Sequence, residues 1–340
     1  MVKIRVNRIL VLIVVIASLL AGVGYYWLWQ KPQAGKIKGH REAVTIGFLP
    51  TPLSSLVFIA EVKGFFMQEG LDVTLKKYPT GKEARIAMFA KEIELAVIGD
   101  IGIVLSSFER EDFAVLTTIG SSHNEFKVVA RQDKAKEPKD LKGKRIATQK
   151  GTQMHFFMHL FLLKNGLSDK DVEISFKQAE ELPLALASGE VDAISTREPI
   201  ISQARGLLLD NAVVFEEPGF FQATFNLVAL KGLLKGRPEM TKRVIRALLK
   251  AEGFVRKYPQ EAVDIVSQKI GVDKSTIASD WQYIELRVSL EQSLALTLEE
   301  EARWEIKEGL TDKKEVPNYL NFIYTDALEA VSPEAVTIIR

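Results

Sequence analysis

The sequence predicts an α/β fold of two lobes, each lobe a mostly parallel sheet flanked by helices, with one transmembrane helix ahead of them. Three observations support this prediction. Strand-like and helical runs alternate from residue 43 onward, a similar cycle restarts near residue 145, and residues 9–29 form an uncharged stretch near the N-terminus. Such alternation is typical of parallel sheets, whose ligand sites lie at the carboxyl ends of the strands.

The uncharged stretch 9–29 is long enough to cross a bilayer, because about 20 helical residues span the hydrocarbon core. A basic segment precedes it, no convincing A-x-A cleavage site follows it, and tyrosines and tryptophans cluster at its end. These features favour the interpretation that residues 1–29 form an uncleaved signal anchor. A cleaved signal peptide is the alternative. Residues 30–42 then form a short tether. Basic residues flank both ends of the stretch and do not decide its orientation.

The first lobe is predicted from a strand at 43–48, a turn at Pro50-Thr51-Pro52 and a helix at 56–63. A second strand follows at 72–75, a helix at about 82–90, and further strands at 95–98 and 115–119. The second cycle is predicted as a strand at 145–148, a helix at 154–164, a strand at 172–174, a helix from about 183 to 188 and a strand at 191–195. Residues 225–230 could return to the first lobe, and the pattern is almost entirely helical from residue 237.

Composition excludes several kinds of site. The chain has no cysteine, so disulfides, thiol nucleophiles, cysteine zinc sites and a lipidated cysteine are ruled out. Seven of the 45 basic residues precede residue 43, and only Glu42 opposes them there. The chain from residue 43 onward is therefore mildly acidic, which does not favour nucleic-acid binding. His155 and His159 stand four apart, but their apolar neighbours favour core packing over a metal site. We expect no cofactor and no metal.

Several short motifs, in this order and spacing, resemble the nitrate/sulfonate/taurine-type ABC transporter substrate-binding proteins, a family that also contains thiamine-pyrimidine-precursor binders. The resemblance covers about residues 43–270. It is carried by Ile46-Gly47-Phe48, the run AEVKGFFMQEGL at 60–71, Ile98-Gly99-Asp100, the run DLKGKRIA at 140–147 ahead of Lys150-Gly151-Thr152, and Gly189-Glu190-Val191-Asp192-Ala193 ahead of Glu198-Pro199.

The resemblance implies a type II periplasmic-binding-protein fold whose chain crosses twice between lobes, near 126–131 and 224–230. Lobe 1 would comprise 43–127 and 228–340, and lobe 2 would comprise 128–227. The implied function is an extracytoplasmic, periplasmic solute-binding protein on the cytoplasmic membrane. It would be a monomer that closes on a small molecule by hinge motion and delivers it to ABC permease and ATPase subunits.

Two predicted helix starts offer hydroxyls and backbone N–H groups to a ligand, and the helix dipole there favours a negative group. Ordinary N-capping is the alternative role for these hydroxyls. The residues are Thr51, Ser54 and Ser55 in the first lobe and Gly151, Thr152 and Gln153 in the second.

Other candidate ligand-binding residues follow predicted strand ends. Arg197 could pair bidentately with a sulfonate or carboxylate, or form a surface ion pair with Glu198. Many sulfonate-type relatives have an aromatic residue and Asp-Pro here, so sulfonate specificity is not simply inherited. The remaining candidates are Gly99 and Asp100, where Asp100 could accept hydrogen bonds or cap a helix, then Ser121, Ser122 and His123, and Asn226 near the return crossing.

The ligand class stays open between a small oxyanion and a pyrimidine-like ring, because five phenylalanines could stack on a flat molecule. They are Phe48, Phe126, Phe220, Phe221 and Phe225. A ligand-sensing ectodomain that works with a separate membrane receptor is an alternative function. An enzyme is disfavoured: the cysteine-rich motif of the thiamine-pyrimidine synthase that shares this fold is missing, and no G-x-S-x-G or dinucleotide fingerprint is present.

Overall fold

A computed structural model describes residues 41–339 of the protein. The predicted anchor at 1–29 and nearly all of the predicted tether lie outside the described residues; Glu42, the last residue assigned to the tether, already opens the first strand. Between residues 41 and 339, no helix is both long enough and apolar enough to cross a membrane.

The described chain forms two β-sheets. The first has the strand order β11-β4-β10-β3-β1-β2, and the second has the order β7-β6-β8-β5-β9. The strands are β1 Glu42–Phe48, β2 Leu71–Lys77, β3 Leu95–Gly99, β4 Phe113–Ser122, β5 Phe126–Arg131, β6 Arg145–Thr148, β7 Glu173–Phe176, β8 Ala193–Arg197, β9 Ala212–Phe215, β10 Ala223–Leu230 and β11 Ile284–Glu285.

Helices flank both sheets, and those after residue 230 pack mainly on the first. The helices are α1 Ser55–Val62, α2 Phe65–Gln68, α3 Gly81–Phe89, α4 Asp100–Ser107, α5 Gln153–Lys164, α6 Leu182–Ala187, α7 Ile200–Leu208, α8 Lys231–Gly236, α9 Pro238–Lys257, α10 Pro259–Ile270, α11 Lys274–Asp280, α12 Gln292–Lys307 and α13 Asp326–Glu329. The predicted strand–helix alternation is confirmed.

The prediction of mostly parallel sheets is wrong, because both sheets are mixed. In the first sheet β1 pairs in parallel with β2 and β3, but β10 runs antiparallel to β3 and β4, and β11 runs antiparallel to β4. In the second sheet β6 pairs in parallel with β7 and β8, while β5 runs antiparallel to β8 and β9. Four of the five antiparallel pairings involve β5 or β10, the strands by which the chain enters each sheet from the other one without an intervening crossover helix.

The chain passes between the sheets twice. It leaves the first sheet at Ser122 and enters the second at Phe126, and it returns between Phe215 and Ala223. The predicted crossings, 126–131 and 224–230, are therefore strands within the sheets, and the connecting residues are 123–125 and 216–222. The proposed lobe bounds stay a prediction.

Local sequence explains how helices are placed at the sheet ends. Thr80 and Glu83 form a capping box at the start of α3: the Thr80 N–H donates to the Glu83 carboxylate at 3.1 Å. All ten residues of β4 are buried in the first sheet. The apolar side of α9 packs against α1 and closes the core behind that sheet.

Candidate ligand cleft

A cavity of about 40 Å³ lies between the two sheets. One water molecule needs about 10–15 Å³ of such space, so the cavity has room for a few waters. Residues at or just beyond the carboxyl ends of β1, β3 and β8 contribute to its wall. The lining consists of Leu49, Thr80, Gly81, Lys82, Arg85, Gly99, Gly102, Phe126, Gly151, Thr152, Gln153, Met154, Arg197 and Phe225.

Three helices, α3, α4 and α5, begin at the cavity wall. Thr80 caps α3 by accepting the N–H of Lys82 at 3.3 Å. The N-cap residues of α4 and α5 are Gly99 and Thr152, and neither places a side-chain oxygen on a first-turn N–H. A helix N-terminus carries a positive partial charge of about half an elementary charge. These helix starts add partial positive charge to the wall, although at α4 the Asp100 carboxyl group already accepts the N–H of Ile101 at 2.9 Å.

A buried arginine adds a full positive charge to the cavity. Arg197, at the end of β8, is 2% exposed. It donates from Nη1 to the Glu198 carbonyl at 2.7 Å and from Nη2 to the Pro79 carbonyl at 3.0 Å. Since Pro79 precedes α3, the second bond joins the two sheets. Burial lowers the pKa of Arg197 and the charge of Glu125 opposes that change, but a guanidinium remains protonated at any physiological pH.

A second link between the sheets joins Gln153 to Asp100. Gln153 Nε2 donates to Asp100 Oδ1 and, at 3.3 Å, to the Thr224 carbonyl. Asp100 is completely buried and also accepts the backbone N–H groups of Ile101 at 2.9 Å and Thr224 at 3.2 Å. Burial raises the pKa of Asp100 to about 6, although these hydrogen bonds lower it. A Cβ atom at Gly99 would lie 1.8 Å from Gln153 Oε1, so the glycine permits this approach.

A buried carboxyl group lies in the first crossing. Glu125 is 8% exposed and accepts the hydroxyl of Thr51. Burial raises the pKa of Glu125 to about 7, while the charge of Arg197 lowers it. Among the acids that act on Arg197, Glu125 has the largest effect on its pKa.

Ion pairs hold β5 to the return crossing and to the end of α11. Lys127, on β5, binds Asp280 at 2.9 Å and Glu216 at 3.0 Å, and Glu216 belongs to the return crossing. Burial alone would lower the pKa of Lys127, but the charge of Asp280 and the contacts with both carboxylates hold it above its usual value. These ion pairs therefore lie beside the connections between the two sheets.

Five predicted binding residues line the cavity, namely Gly99, Gly151, Thr152, Gln153 and Arg197. Asp100 does not line the cavity itself, but it accepts a hydrogen bond from Gln153, which does. The structure brings residues of both predicted lobes together here. Their contact with a ligand stays a prediction.

The predicted hydroxyls of the first helix start do not line the cavity. Thr51, Ser54 and Ser55 are completely buried. Thr51 donates to Glu125, Ser55 donates to the Pro52 carbonyl, and Ser54 Oγ has no hydrogen-bond partner among the described residues. This turn packs against β4 and does not contribute to the cavity wall.

The two serines that end β4 and the histidine after them also lie away from the cavity. Ser121 lines a separate cavity of about 50 Å³ near β11. Ser122 accepts the N–H of Asn124 at 3.1 Å, and His123 is exposed. None of the three residues lines the cavity between the sheets.

Glu198 and Asn226 have structural partners. Glu198 accepts the N–H and hydroxyl of Ser202 at 3.1 and 3.0 Å, which caps α7, and burial raises its pKa. The alternative of a surface pair between Arg197 and Glu198 is wrong, because both are buried. Asn226 bonds to Thr118 at 2.7 Å and to Thr224 at 3.1 Å.

Two of the five candidate stacking rings reach the cavity, Phe126 and Phe225. Phe48 packs on Phe58 with ring centroids 5.9 Å apart, and Phe221 packs on Phe156 at 5.5 Å. Phe220 lies under Lys164 Nζ, 4.6 Å from its ring centroid. The cavity therefore has an apolar side as well as a cationic one.

Sequence reasoning missed Thr80, Lys82, Arg85 and Glu125. The Thr-x-x-Glu pattern from Thr80 to Glu83 is the signature of a capped helix start and could have revealed the first two. Arg85 stands a turn further along α3 and donates to the Ser106 hydroxyl at 2.6 Å. No sequence signal distinguishes Glu125 from a surface glutamate.

The family of the chain follows from a direct comparison. A family model described as NMT1/THI5 like matches residues 52–262, more than half of the chain. The chain belongs to the NMT1/THI5-like family. Relatives include a protein of Bacillus subtilis (strain 168) named as an aliphatic sulfonates-binding protein, 27% identical over 90% of this chain and 91% of the relative. A binding protein of Brucella abortus (strain 2308) is 27% identical over 67% of this chain and 71% of its own length. These matches confirm the family resemblance drawn from the sequence.

Solved structures share the fold. The alkanesulfonate-binding protein SsuA from Xanthomonas axonopodis pv. citri, bound to MOPS, superposes with a TM-score of 0.72 at 19% identity, covering 84% of this chain and 99% of that one. The desulfurization enzyme DSZB superposes with a TM-score of 0.63 at 17% identity, covering 86% and 99%. The α/β periplasmic-binding-protein fold is confirmed, and at these identities the likeness concerns the fold alone.

Proposed function

We propose that the protein is an extracytoplasmic solute-binding protein of an ABC importer that captures a small organic oxyanion, of the alkanesulfonate kind, between its two lobes. It would present the loaded, closed form to permease and ATPase subunits. The relatives named as sulfonate-binding proteins support this class of ligand. Anchoring through residues 1–29 belongs to the same proposal.

The observation that carries the proposal is the convergence of three helix N-termini on a cavity that also holds the buried guanidinium of Arg197. Oriented N–H groups and a fork of guanidinium donors complement the several oxygens of a sulfonate head. The phenyl rings of Phe126 and Phe225 offer apolar surface to a short organic tail. A pyrimidine would use those rings but would leave the cationic side of the cavity without a partner.

Hinge motion is part of the proposal because the cavity is small. Side chains that cross between the sheets, Gln153 to Asp100 and Arg197 to Pro79, close the cleft in this arrangement. A ligand larger than a few waters would need the sheets to separate before it enters. Closing afterwards would remove its oxygens from water and strengthen the bonds to the helix starts.

The test is the thermal stability of the purified full chain in the presence of ethanesulfonate, taurine, nitrate, bicarbonate and an aminopyrimidine. A ligand at 100 times its Kd adds about 2.7 kcal/mol to the free energy of unfolding, so binding raises the melting temperature. We expect the sulfonates to raise it and the aminopyrimidine to leave it unchanged. Stabilisation by the aminopyrimidine alone would overturn the proposed ligand class.

The Arg197→Lys variant tests the role of the fork. It keeps the charge but loses the planar donor pair, so we expect sulfonate affinity to fall about tenfold, the equivalent of about 1.4 kcal/mol. The matched control is Arg205→Lys, because Arg205 is exposed on α7. Equal affinities for Arg197→Lys and the unmodified protein, measured by calorimetry, would remove Arg197 from the site.

Absence of catalysis is also part of the proposal, since an enzyme shares the fold. The chain contains no cysteine nucleophile. In the described cavity wall, the Thr152 hydroxyl donates to the Gln149 carbonyl at 2.8 Å, and the Thr80 hydroxyl donates to Glu83 within the capping box of α3. The arrangement suits capture and release of an unchanged ligand.

A further inference from the structure

Helix α12 lies directly behind the cavity and buries three polar side chains on one face. Glu301, Trp304 and Glu305 are 1%, 8% and 0% exposed. Their spacing of three and four residues places them side by side along the helix. Burying two glutamates is costly, so their contacts need an explanation beyond filling a core.

Glu301 meets the start of α4. Its carboxyl group hydrogen-bonds the carboxyl group of Asp100. The same group of Asp100 accepts the hydrogen bond from Gln153, a residue of the helix that packs on the second sheet. Within residues 41–339, no N–H or hydroxyl donor reaches either Glu301 oxygen. Burial and the charge of Asp100 both raise the pKa of Glu301. A hydrogen bond between two carboxyl groups needs one proton, and the raised pKa of Glu301 favours Glu301 as the proton donor.

Trp304 meets the start of α5, which belongs to the other sheet. Its ring centroid lies 4.6 Å from that of Phe156, 5.5 Å from His155 and 5.8 Å from His159. Together with Ile101, Trp304 and Phe156 form an apolar cluster separate from the main core. Separating the sheets would expose this cluster to water, so its burial favours the closed arrangement.

Glu305 lies on the same buried face of α12. The charge of Arg85, a residue of the cavity wall, lowers the pKa of Glu305, but burial is the larger influence and raises that pKa to about 9. Arg85 uses Nη1 to hold the Gly102 carbonyl at 3.1 Å and the Ser106 hydroxyl at 2.6 Å. Within residues 41–339, neither Glu305 oxygen has a hydrogen-bond partner, so no bond ties Glu305 to Arg85.

We propose that Glu301 and Trp304 are positioning residues of the ligand cavity: through Asp100 and Phe156 they brace α4 and α5, two of the helices whose N-termini form its wall. Neither of the two lines the cavity. The inference rests on the proposed function, because it assigns determinants of affinity to the same cavity. The brace sets how firmly the closed arrangement is held, and hence how much of the protein is competent to retain a ligand.

The decisive comparison uses Glu301→Leu, Glu301→Gln and the neighbouring control Glu300→Leu, since Glu300 is exposed. Leucine fills the volume without a donor, so the fold remains as stable or becomes more stable, while Asp100 loses its proton donor. We expect the affinity for ethanesulfonate to fall about tenfold in Glu301→Leu. Glutamine can donate from Nε2 to Asp100 and should restore the affinity. Glu300→Leu should bind as the unmodified protein does.

Hydrogen–deuterium exchange of the ligand-free full chain separates this inference from the proposed function. In Glu301→Leu and in Trp304→Leu we expect faster exchange at the starts of α4 and α5, with the rest of the chain unchanged. If no probe binds the unmodified protein, the proposed function fails. The exchange pattern alone then shows whether the α12 side chains hold the starts of α4 and α5 in place. Unaltered exchange at both helix starts, or ethanesulfonate binding by Glu301→Leu with unchanged affinity, would overturn the inference.

Discussion

At the scale of single residues, Gly99 is defined by a contact from the other sheet. Its backbone angles, φ −77° and ψ 163°, are ordinary extended values that any residue adopts. What a side chain would meet is Gln153, whose Oε1 lies 1.8 Å from the position of a Cβ. The glycine is therefore needed for the approach of the two sheets and not for the local chain conformation.

We expect Gly99→Ala to weaken ligand binding by displacing the Gln153 carboxamide from Asp100. Asp100 is completely buried, and a buried group that loses a hydrogen bond costs about 1–3 kcal/mol, so affinity should fall about tenfold or more. Calorimetry with the best-binding compound of the panel measures the change.

A double-mutant cycle provides the control. If Gly99→Ala acts through Gln153, adding it to Gln153→Ala should cause little further loss, so the two effects are not additive. Full additivity in Gly99→Ala/Gln153→Ala would show that the alanine disturbs the site by another route.

At the scale of elements, a charge placed at the start of α5 should affect the stability of the fold and the affinity for an anion in opposite directions. Thr152→Asp places a negative charge at a helix N-terminus, where it stabilises the helix by about 0.3–1 kcal/mol. The same charge repels an anionic ligand at the cavity wall. We expect the melting temperature of the ligand-free protein to hold or rise, while sulfonate affinity falls at least about tenfold.

The neutral variant Thr152→Asn is the matched control for that prediction, since it has the same shape as aspartate without the charge. It should bind sulfonate far better than Thr152→Asp does. Equal affinities for the two variants would mean that the ligand carries no negative charge near α5.

Elements were largely predictable because their signals are local. The predicted strand 145–148 coincides with β6, and the predicted helix 154–164 differs from α5 by one residue. The antiparallel placement of β5 and β10 was not predictable in this way, because it depends on which distant strands they join. The same limit applies to the site. Arg197 follows a strand end that the sequence pattern marks, so its place near the site was predictable. Nothing in the sequence indicates that Thr51 is buried.

At the scale of the whole molecule, burial of acids beneath the cavity couples folding to pH. The pKa values of Asp100, Glu125 and Glu305 are raised to about 6, 7 and 9, chiefly by burial. An acid with a raised pKa keeps its proton in the folded state where the unfolded chain has lost it, so its contribution to stability disappears as the pH rises through the folded value. His155 acts in the opposite direction below pH 6.5, because burial lowers its pKa to about 4.

Above pH 7 the histidine no longer titrates, so the acids alone determine the trend there. We expect the free energy of unfolding to fall from pH 7 to pH 9, by up to about 1.4 kcal/mol per pH unit for each proton retained only in the folded state. Urea unfolding at pH 7, 8 and 9 measures the slope. Glu305→Gln removes one of these acids and should reduce the slope, whereas Glu300→Gln, an exposed change on the same helix, should not. Part of the slope should remain in Glu305→Gln, because burial also raises the pKa of Glu301. A slope that is unchanged in Glu305→Gln would mean that Glu305 is ionised in the folded protein and that burial does not control its proton.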